Sequence, residues 1–242
     1  MKLILDFGNT LQKVALFQEK KLIHQETFKN ISLQNIIDII YNYPTVQSAI
    51  LSSVIDYPSE INDYLKSYFY FIELSHHTPV PVINKYQSPE TLGKDRIAAV
   101  VAANNMYHSK NVLVIDAGSC ITYDMINSKN EYLGGSISPG IDMRFRSLHN
   151  FTDKLPLVNS REPISLTGVS TQEAILSGVL NGVCEEMRGI IHNYNEKYHD
   201  LITILSGGDM IYFDKCLKNN IFAVSNIVIA GLNIILDFNV KE

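Results

Sequence analysis

Two short stretches of this chain repeat one pattern, and that repeat constrains the fold more than anything else in it. Residues 111–140 read NVLVIDAGSC ITYDMINSKN EYLGGSISPG. Within them Val112-Leu113-Val114-Ile115 is an unbroken aliphatic run that ends in Asp116-Ala117-Gly118-Ser119. Four aliphatics between polar residues predict a short buried strand. That strand carries a carboxylate to its tip, Gly118 lets the backbone turn sharply, and the hydroxyls of Ser119 and Thr122 follow. A carboxylate can hold a cation, and free amides and hydroxyls can hold phosphate oxygens. The chain opens with a second copy, Leu3-Ile4-Leu5-Asp6-Phe7-Gly8-Asn9-Thr10. Asp6 and Asp116 stand nearly half the chain apart, so the repeat predicts a duplicated domain, residues 1–110 and 111–242, and not a solenoid. Two facing Asp-x-Gly turns make a phosphate clamp.

Composition narrows the partners. Hydrophobic residues make up 46% and charged residues 19% of the 242, the balance of an ordinary globular protein. A net charge of −5 without any basic run argues against a nucleic-acid partner and against an anionic membrane surface. No signal peptide is expected, because Asp6 and Gly8 interrupt the apolar start. No run approaches the roughly 18 apolar residues that span a membrane; even residues 227–236 carry Asn233. Cys120, Cys184 and Cys216 are widely spaced and suggest neither a disulfide framework nor a zinc site, which points to a reducing cytosol. Cys120 has no His near it in sequence and reads as a small packed residue, not a nucleophile. His76-His77 lacks metal-ligand spacing and reads as loop.

Along the chain, residues 12–17 and 22–28 read as strands joined by the polar Glu19-Lys20-Lys21, an antiparallel meander with the opening strand. Ile31, Ile36, Ile37 and Ile40 then fall near helical spacing, with Ser32 a candidate N-cap. A strand at 46–51, a helix opened by Pro58 and running to about Tyr68, and a strand at 69–74 give the order βββαβαβ. Residues 78–82, with two prolines, read as an extended connection, and 86–93 as a polar loop. The Ala-rich stretch from Asp95 to about Tyr107 reads as helix. The second half repeats the meander over 112–116, 120–126 and 131–137, followed by a helix at 141–149. Residues 151–168 contain Pro156 and Pro163 and no period, and read as loop. A long helix capped by Ser170 or Thr171 runs to about Tyr198. A strand at 201–205 ends in Ser206-Gly207-Gly208-Asp209, a turn into another helix, and a strand at 221–224 and a helix at 226–238 close the unit. The expected architecture is α/β: two βββαβα halves of a duplicated ribonuclease-H-like fold, with ligands in the cleft between them.

Each motif also has a plainer reading. Asp6-Phe7-Gly8-Asn9-Thr10 alone would suit an ordinary hairpin, since Asn and Gly favour turns for steric reasons. Its company decides for phosphate binding, because the turns at Gly8, Gly118 and Gly207-Gly208 all follow an aliphatic strand. Gly93-Lys94-Asp95-Arg96 carries two readings of equal weight. In one, Asp95 is a helix N-terminal residue favoured by the dipole and Arg96 lies on a solvated face. In the other, Asp95 is a general base and Arg96 grips a substrate carboxylate. Gly134-Gly135-Ser136-Ile137-Ser138-Pro139-Gly140 is either a flexible hairpin or a backbone surface that lets a ligand approach closely. Tyr86 and Thr171 are, by themselves, ordinary loop and cap residues.

Taken together, Asp6-x-Gly8-Asn9-Thr10, Gly93-x-Asp95-Arg96, Asp116-x-Gly118-Ser119-x-x-Thr122-x-Asp124 and Gly134-Gly135-x-Ile137-x-Pro139-Gly140 resemble the type III pantothenate kinases of the actin-like, hexokinase-like ATPase superfamily. Order and spacing match from residue 1 to about 208. The resemblance implies ATP-dependent phosphorylation of pantothenate, the first step of coenzyme A synthesis, by a homodimer that needs potassium or ammonium. By motif it implies that Asp6, Phe7, Gly8, Asn9, Thr10, Leu11, Gln12 and Lys13 wrap the ATP phosphates and that Ser119 touches ATP. Asp95 would be the base. Tyr86, Gly93, Lys94, Asp95 and Arg96 would bind pantothenate, with Thr171 contacting substrate from its helix, and Asp116 would bind the monovalent cation. The family usually has Gly-Thr-Ala where Gly118-Ser119-Cys120 stands here; Ser keeps the hydroxyl and loses the methyl that restricts its rotamer.

The reading that follows is a cytosolic pantothenate kinase in which a divalent ion, expected to be Mg²⁺, accompanies ATP. Phosphoryl transfer needs chiefly positioning and charge neutralisation, which two Asp-x-Gly turns with bound cations supply. The apolar stretch 97–103 and the long helix 171–198 offer more apolar surface than one small protein should expose, which fits a dimer. One alternative is a kinase or phosphatase of the same superfamily acting on a sugar or polyphosphate. Another is a non-catalytic regulatory protein that keeps the nucleotide cleft. Repressors of this architecture carry a helix-turn-helix ahead of the first turn, and with five residues before Asp6 none is expected. A degenerate regulator should also have lost one of Asp6, Asp95 and Asp116, and all three are present.

Overall fold

The computed structural model describes residues 1–217 and 221–240. Its first elements are β1 (Lys2–Phe7), β2 (Gln12–Gln18), β3 (Lys21–Phe28), α1 (Leu33–Asn42), β4 (Ser48–Ser53), α2 (Ser59–Tyr68), β5 (Tyr70–Glu73), β6 (Ile83–Asn84) and α3 (Lys94–Met106). There follow β7 (Val112–Ala117), β8 (Cys120–Ile126), β9 (Glu131–Pro139), α4 (Ile141–Asn150), α5 (Thr171–Lys197), β10 (Ile202–Ser206), α6 (Met210–Cys216), β11 (Ile221–Ala223) and α7 (Ile227–Val240). Two compact units result. One comprises Met1–His108, Asn130–Tyr132 and the stretch from Asn226; the other comprises Ser109–Lys129 and Leu133–Ser225.

In the first unit the strand order is β3-β2-β1-β4-β5. β1 pairs antiparallel with β2, Asp6 opposite Lys13, and parallel with β4, Asp6 opposite Ser52. Strands covered on both faces must be apolar nearly throughout, which is why Leu3-Ile4-Leu5 of β1 and Ala49-Ile50-Leu51 of β4 read as aliphatic runs. Side-chain alternation sorts the two layers. Leu3, Leu5, Phe7, Ala49 and Leu51 share a core with Ile36 and Ile39 of α1 and Ile61 and Leu65 of α2. Ile4 and Ile50, fully buried, point to the opposite face, where α3 and α7 pack. Ser32 caps α1 as expected, accepting from the N–H of Asn35 while the Asn35 side chain accepts from the N–H of Ser32.

α3 is buried from Arg96 to Asn104. It meets α7 backbone to backbone: a Cβ placed on Gly231 would lie 1.8 Å from the carbonyl oxygen of Ala98. The Ala-rich stretch 97–103 is therefore core of its own unit, which corrects its use as surplus apolar surface for a dimer. The two-residue strand β6 escaped the sequence pattern because it exists only through pairing, Ile83 with Glu131 and Asn84 with Tyr132.

In the second unit β11, β10, β7, β8 and β9 lie side by side in that order. β7 pairs antiparallel with β8 and parallel with β10, Asp116 opposite Thr122 on one side and Ser206 on the other. Leu113, Ile115, Ala117, Ile121 and Tyr123 pack against Ile141 and Phe145 of α4 and Val179, Leu180, Val183 and Met187 of α5. Ser170 is the N-cap of α5, accepting from the N–H of Glu173 at 3.3 Å. One expectation fails here. Cys184 of α5 and Cys216 at the end of α6 form a disulfide, their Cα atoms 6.4 Å apart. The packing of α6 on α5 brings them together across 32 residues of sequence, a contact that spacing alone does not reveal. Cys120 is a half-buried free thiol. Among the described residues no helix is long and apolar enough to cross a membrane.

Two glycines test this packing in opposite directions. Gly231→Ala must push α7 off α3 and should cost about 1–3 kcal/mol or more, seen as a fall of several degrees in Tm by calorimetry. Gly178→Ala, on α5 where an added Cβ meets nothing within 4 Å, should stabilise by roughly 0.5–1 kcal/mol through helix propensity. A Gly231→Ala protein melting with the wild type would refute the close approach.

Candidate functional site

β1 ends at a hairpin whose tip is Asn9-Thr10. The N–H of Gly8 donates to the carbonyl of Leu11 at 3.1 Å, closing the turn and leaving Asn9, Thr10 and Leu11 exposed. Phe7 and Gln12 hold the turn from beneath. Phe7 is fully buried, its ring edge-on to Tyr57 at 5.4 Å, and the Gln12 side-chain oxygen accepts from the N–H of Ile31. Tyr57 donates to Glu73 at 3.1 Å; burial, with Glu73 adding to it, pushes its phenol up to about 12. Asp6 and Lys13, paired across β1 and β2, are half-buried at the base of the hairpin.

The same unit assembles a second group at the start of α3. Gly93 is the N-cap, and Lys94 opens the helix. Asp95 folds back over the helix end, its carboxylate accepting from the N–H of Arg96 at 2.8 Å. A Cβ on Gly93 would sit 2.6 Å from that carboxylate oxygen, so glycine makes room for the fold-back. Arg96 is only 5% exposed, which corrects the reading that puts it on a solvated face. Its guanidinium lies 5.5 Å from the centre of the Tyr86 ring, and Tyr86 in turn stacks on Tyr132 at 6.1 Å. Tyr86, Gly93, Lys94, Asp95 and Arg96 therefore form one cluster, with Tyr132 as a member that the sequence did not mark.

In the second unit three turns converge on the tip of β7. Asp116 is half-buried there, and Ser119 is exposed. The N–H of Gly118 donates to the carbonyl of Cys120 at 2.9 Å, that of Gly140 to Ser119 at 3.2 Å, and that of Asp209 to Ala117 at 3.0 Å. A Cβ on Gly140 would come within 2.2 Å of the Gly118 oxygen. One on Gly207, whose φ is +97°, would come within 2.2 Å of the Ala117 oxygen. Gly135 lies against the Tyr123 backbone just as closely, so that glycine serves strand packing. Thr171 stands exposed on the first turn of α5.

Two arginines brace these turns. Arg144 donates from Nε to the carbonyl of Pro139 at 2.8 Å and from Nη2 to Ser138 at 2.8 Å and Glu186 at 2.6 Å. The Tyr123 hydroxyl donates to the other Glu186 oxygen at 3.2 Å, and burial together with that carboxylate pushes its phenol far up. Arg161, from the loop 151–168, donates to Asp209 at 2.7 Å and to Asp142 at 3.0 Å. Burial works against its charge, and the bonds to both carboxylates outweigh that effect and leave its pKa raised. Neither arginine had a sequence signal, because the carboxylates they bond lie far along the chain.

The profile of a family described as "Type III pantothenate kinase" matches residues 2–193. A protein of that name from Christiangramia forsetii is 46% identical over 240 residues, 99% of each chain. Among solved structures, one assigned to the Baf family of transcriptional activators, from Campylobacter jejuni, aligns over 99% of this chain and 100% of its own, with a TM-score of 0.64 at 22% identity. A glucokinase from an Antarctic psychrotroph aligns over 98% of both chains, with a TM-score of 0.54 at 13% identity. At such identities these two bear on the fold alone, the duplicated ribonuclease-H-like α/β fold of the actin-like ATPases. Relatives this similar along their full length settle the grouping: the chain belongs to the type III pantothenate kinase family.

Proposed function

We propose that this chain transfers the γ-phosphoryl group of ATP to the primary hydroxyl of pantothenate, the first step of coenzyme A synthesis. The observation that carries the reading, in a member of this family, is the cluster at the start of α3, where a carboxylate and a buried guanidinium stand beside an aromatic ring. Pantothenate offers one carboxylate and one primary hydroxyl to such a pair. Arg96 suits the carboxylate, with Tyr86, Gly93, Lys94 and Thr171 completing the acceptor contacts. Asp95 takes the hydroxyl proton as the new oxygen–phosphorus bond forms. The bond to the β,γ-bridging oxygen breaks, and ADP leaves. Because the transition state is loose, Asp95 matters through orientation as much as through proton removal.

The hairpin from Asp6 to Lys13 takes the ATP phosphates, and Ser119 touches the nucleotide. Among the described residues no group of three or more His, Cys, Asp or Glu stands ready to hold a metal. The carboxylate of Asp6 with exposed Asn9 and Thr10 fits Mg²⁺, which takes one or two carboxylates and completes its shell with phosphates and water. That ion neutralises phosphate charge. Asp116, flanked in register by Thr122 and Ser206, gives the oxygen donors that a monovalent cation takes. A cytosolic homodimer is part of this proposal and rests on the family resemblance alone; the Cys184–Cys216 bridge removes the cysteine argument for a reducing compartment.

A coupled assay with ATP, pantothenate and a panel of sugars tests the reaction, and turnover of a sugar in place of pantothenate would refute it. Asp95→Asn should cut kcat by roughly 10²–10⁴ while nucleotide affinity changes little; near wild-type turnover would move the base elsewhere. Activity should depend on potassium or ammonium and be lost in sodium, with Asp116→Asn largely inactive, and equal rates in the three salts would sink the cation role. Light scattering at micromolar concentration should give twice the monomer mass.

A further inference from the structure

Among the described residues Ser52 carries the one hydroxyl that is buried without a hydrogen-bond partner. It is 0% exposed, and its hydroxyl finds no hydrogen-bond partner among the described residues. Three of the buried amides there are half-satisfied. Gln25, Asn62 and Asn233 each leave an amide oxygen unpaired but donate from the amide nitrogen to Asn226, Glu73 and Glu19. The neighbouring Ser53 both donates to the Ile55 carbonyl and accepts from its N–H. A buried hydroxyl without a partner costs stability that an alanine would recover, so its presence calls for a role in another state of the protein.

The register says which role. Ser52 lies directly opposite Asp6 on the adjacent parallel strand. Parallel neighbours are about 4.8 Å apart, and side chains at paired positions leave the sheet on the same face. Ile4 and Ile50, one pleat earlier on each strand, mark that face as the one covered by α3 and α7. A carboxylate that ligates a cation is usually held by a hydrogen bond to its other oxygen. We infer that Ser52 is a positioning residue of the nucleotide site: its hydroxyl donates to one oxygen of Asp6 and turns the other toward the cation of Mg·ATP. The inference rests on Asp6 belonging to the nucleotide site, as proposed above.

The test compares Ser52→Ala, Ser52→Thr and Asp6→Asn in the full-length protein. Melting temperature is measured without ligand, and Mg²⁺ is titrated into the ATP-loaded protein by calorimetry. Ser52→Ala should melt about 2 °C or more above wild type when empty, because the orphan is gone. It should bind Mg²⁺ roughly 10–100-fold more weakly in the presence of ATP, with KM for pantothenate unchanged. Ser52→Thr, which keeps the hydroxyl and suits a strand, should restore most of the Mg²⁺ affinity. Wild-type Mg²⁺ affinity in Ser52→Ala overturns the inference, as does a lower melting temperature for that empty variant. If Asp6→Asn also binds Mg·ATP normally, the assignment of Asp6 itself has failed. If Asp6→Asn loses binding and Ser52→Ala does not, only the role of Ser52 has.

Discussion

The turns around the tip of β7 are held at distances that only backbone can reach. A side chain on Gly140 or Gly207 would collide with the carbonyl of Gly118 or Ala117 at 2.2 Å. Because those positions are bare, the N–H groups of Gly140 and Asp209 close onto the oxygens of Ser119 and Ala117, and three segments from distant parts of the sequence share one small volume. Everything nearby inherits that constraint. The start of α4, the entry to α6 and the exposure of Ser119 are all fixed relative to Asp116 by main-chain bonds, which tolerate little drift. Such a site is pre-organised before any ligand arrives.

Side chains then brace what the backbone has set. Arg144 and Arg161 each tie a turn to carboxylates on other elements, Glu186 of α5 in one case and Asp142 and Asp209 in the other. Guanidinium suits this task because its planar fork can bond in several fixed directions at once. The long loop 151–168 has no regular structure, and Arg161 anchors it at the Gly207 turn. In the first unit the same economy appears in Gln12, whose side chain serves the backbone of Ile31 instead of solvent.

Much of this was legible in the sequence where a local pattern and a local structure coincide. Buried parallel strands announce themselves as aliphatic runs, and their ends as Asp-x-Gly in β1 and β7 and Ser-Gly-Gly in β10, so these strands and their turns could be read directly. Ser32 and Ser170 signalled their helices by capping chemistry. What stayed hidden depends on contacts between distant residues. At a helix start Arg96 suits a solvated face as well as a site, and its burial against the Tyr86 ring, which stacks on Tyr132, decides against the first. The two-residue β6 has no pattern of its own. The cysteines of α5 and α6 carry no spacing that foretells a bridge. Ser52 falls just past the strand read at 46–51, and its total burial follows from the helices laid over β4.

α7 follows the second unit in sequence, yet it belongs with the first, lying on α3 and over β1 and β4. During synthesis the amino-terminal sheet therefore leaves the ribosome with one greasy face covered only in part, by α3, and the whole second unit is translated before the rest of its cover arrives. Contacts of such long sequence separation close slowly, because loop entropy must be lost before they give anything back. In the interval Ile4, Ile50 and the alanines of α3 are exposed to other chains and to chaperones. Completion of the part that emerges first thus waits on a helix encoded beyond the whole second unit.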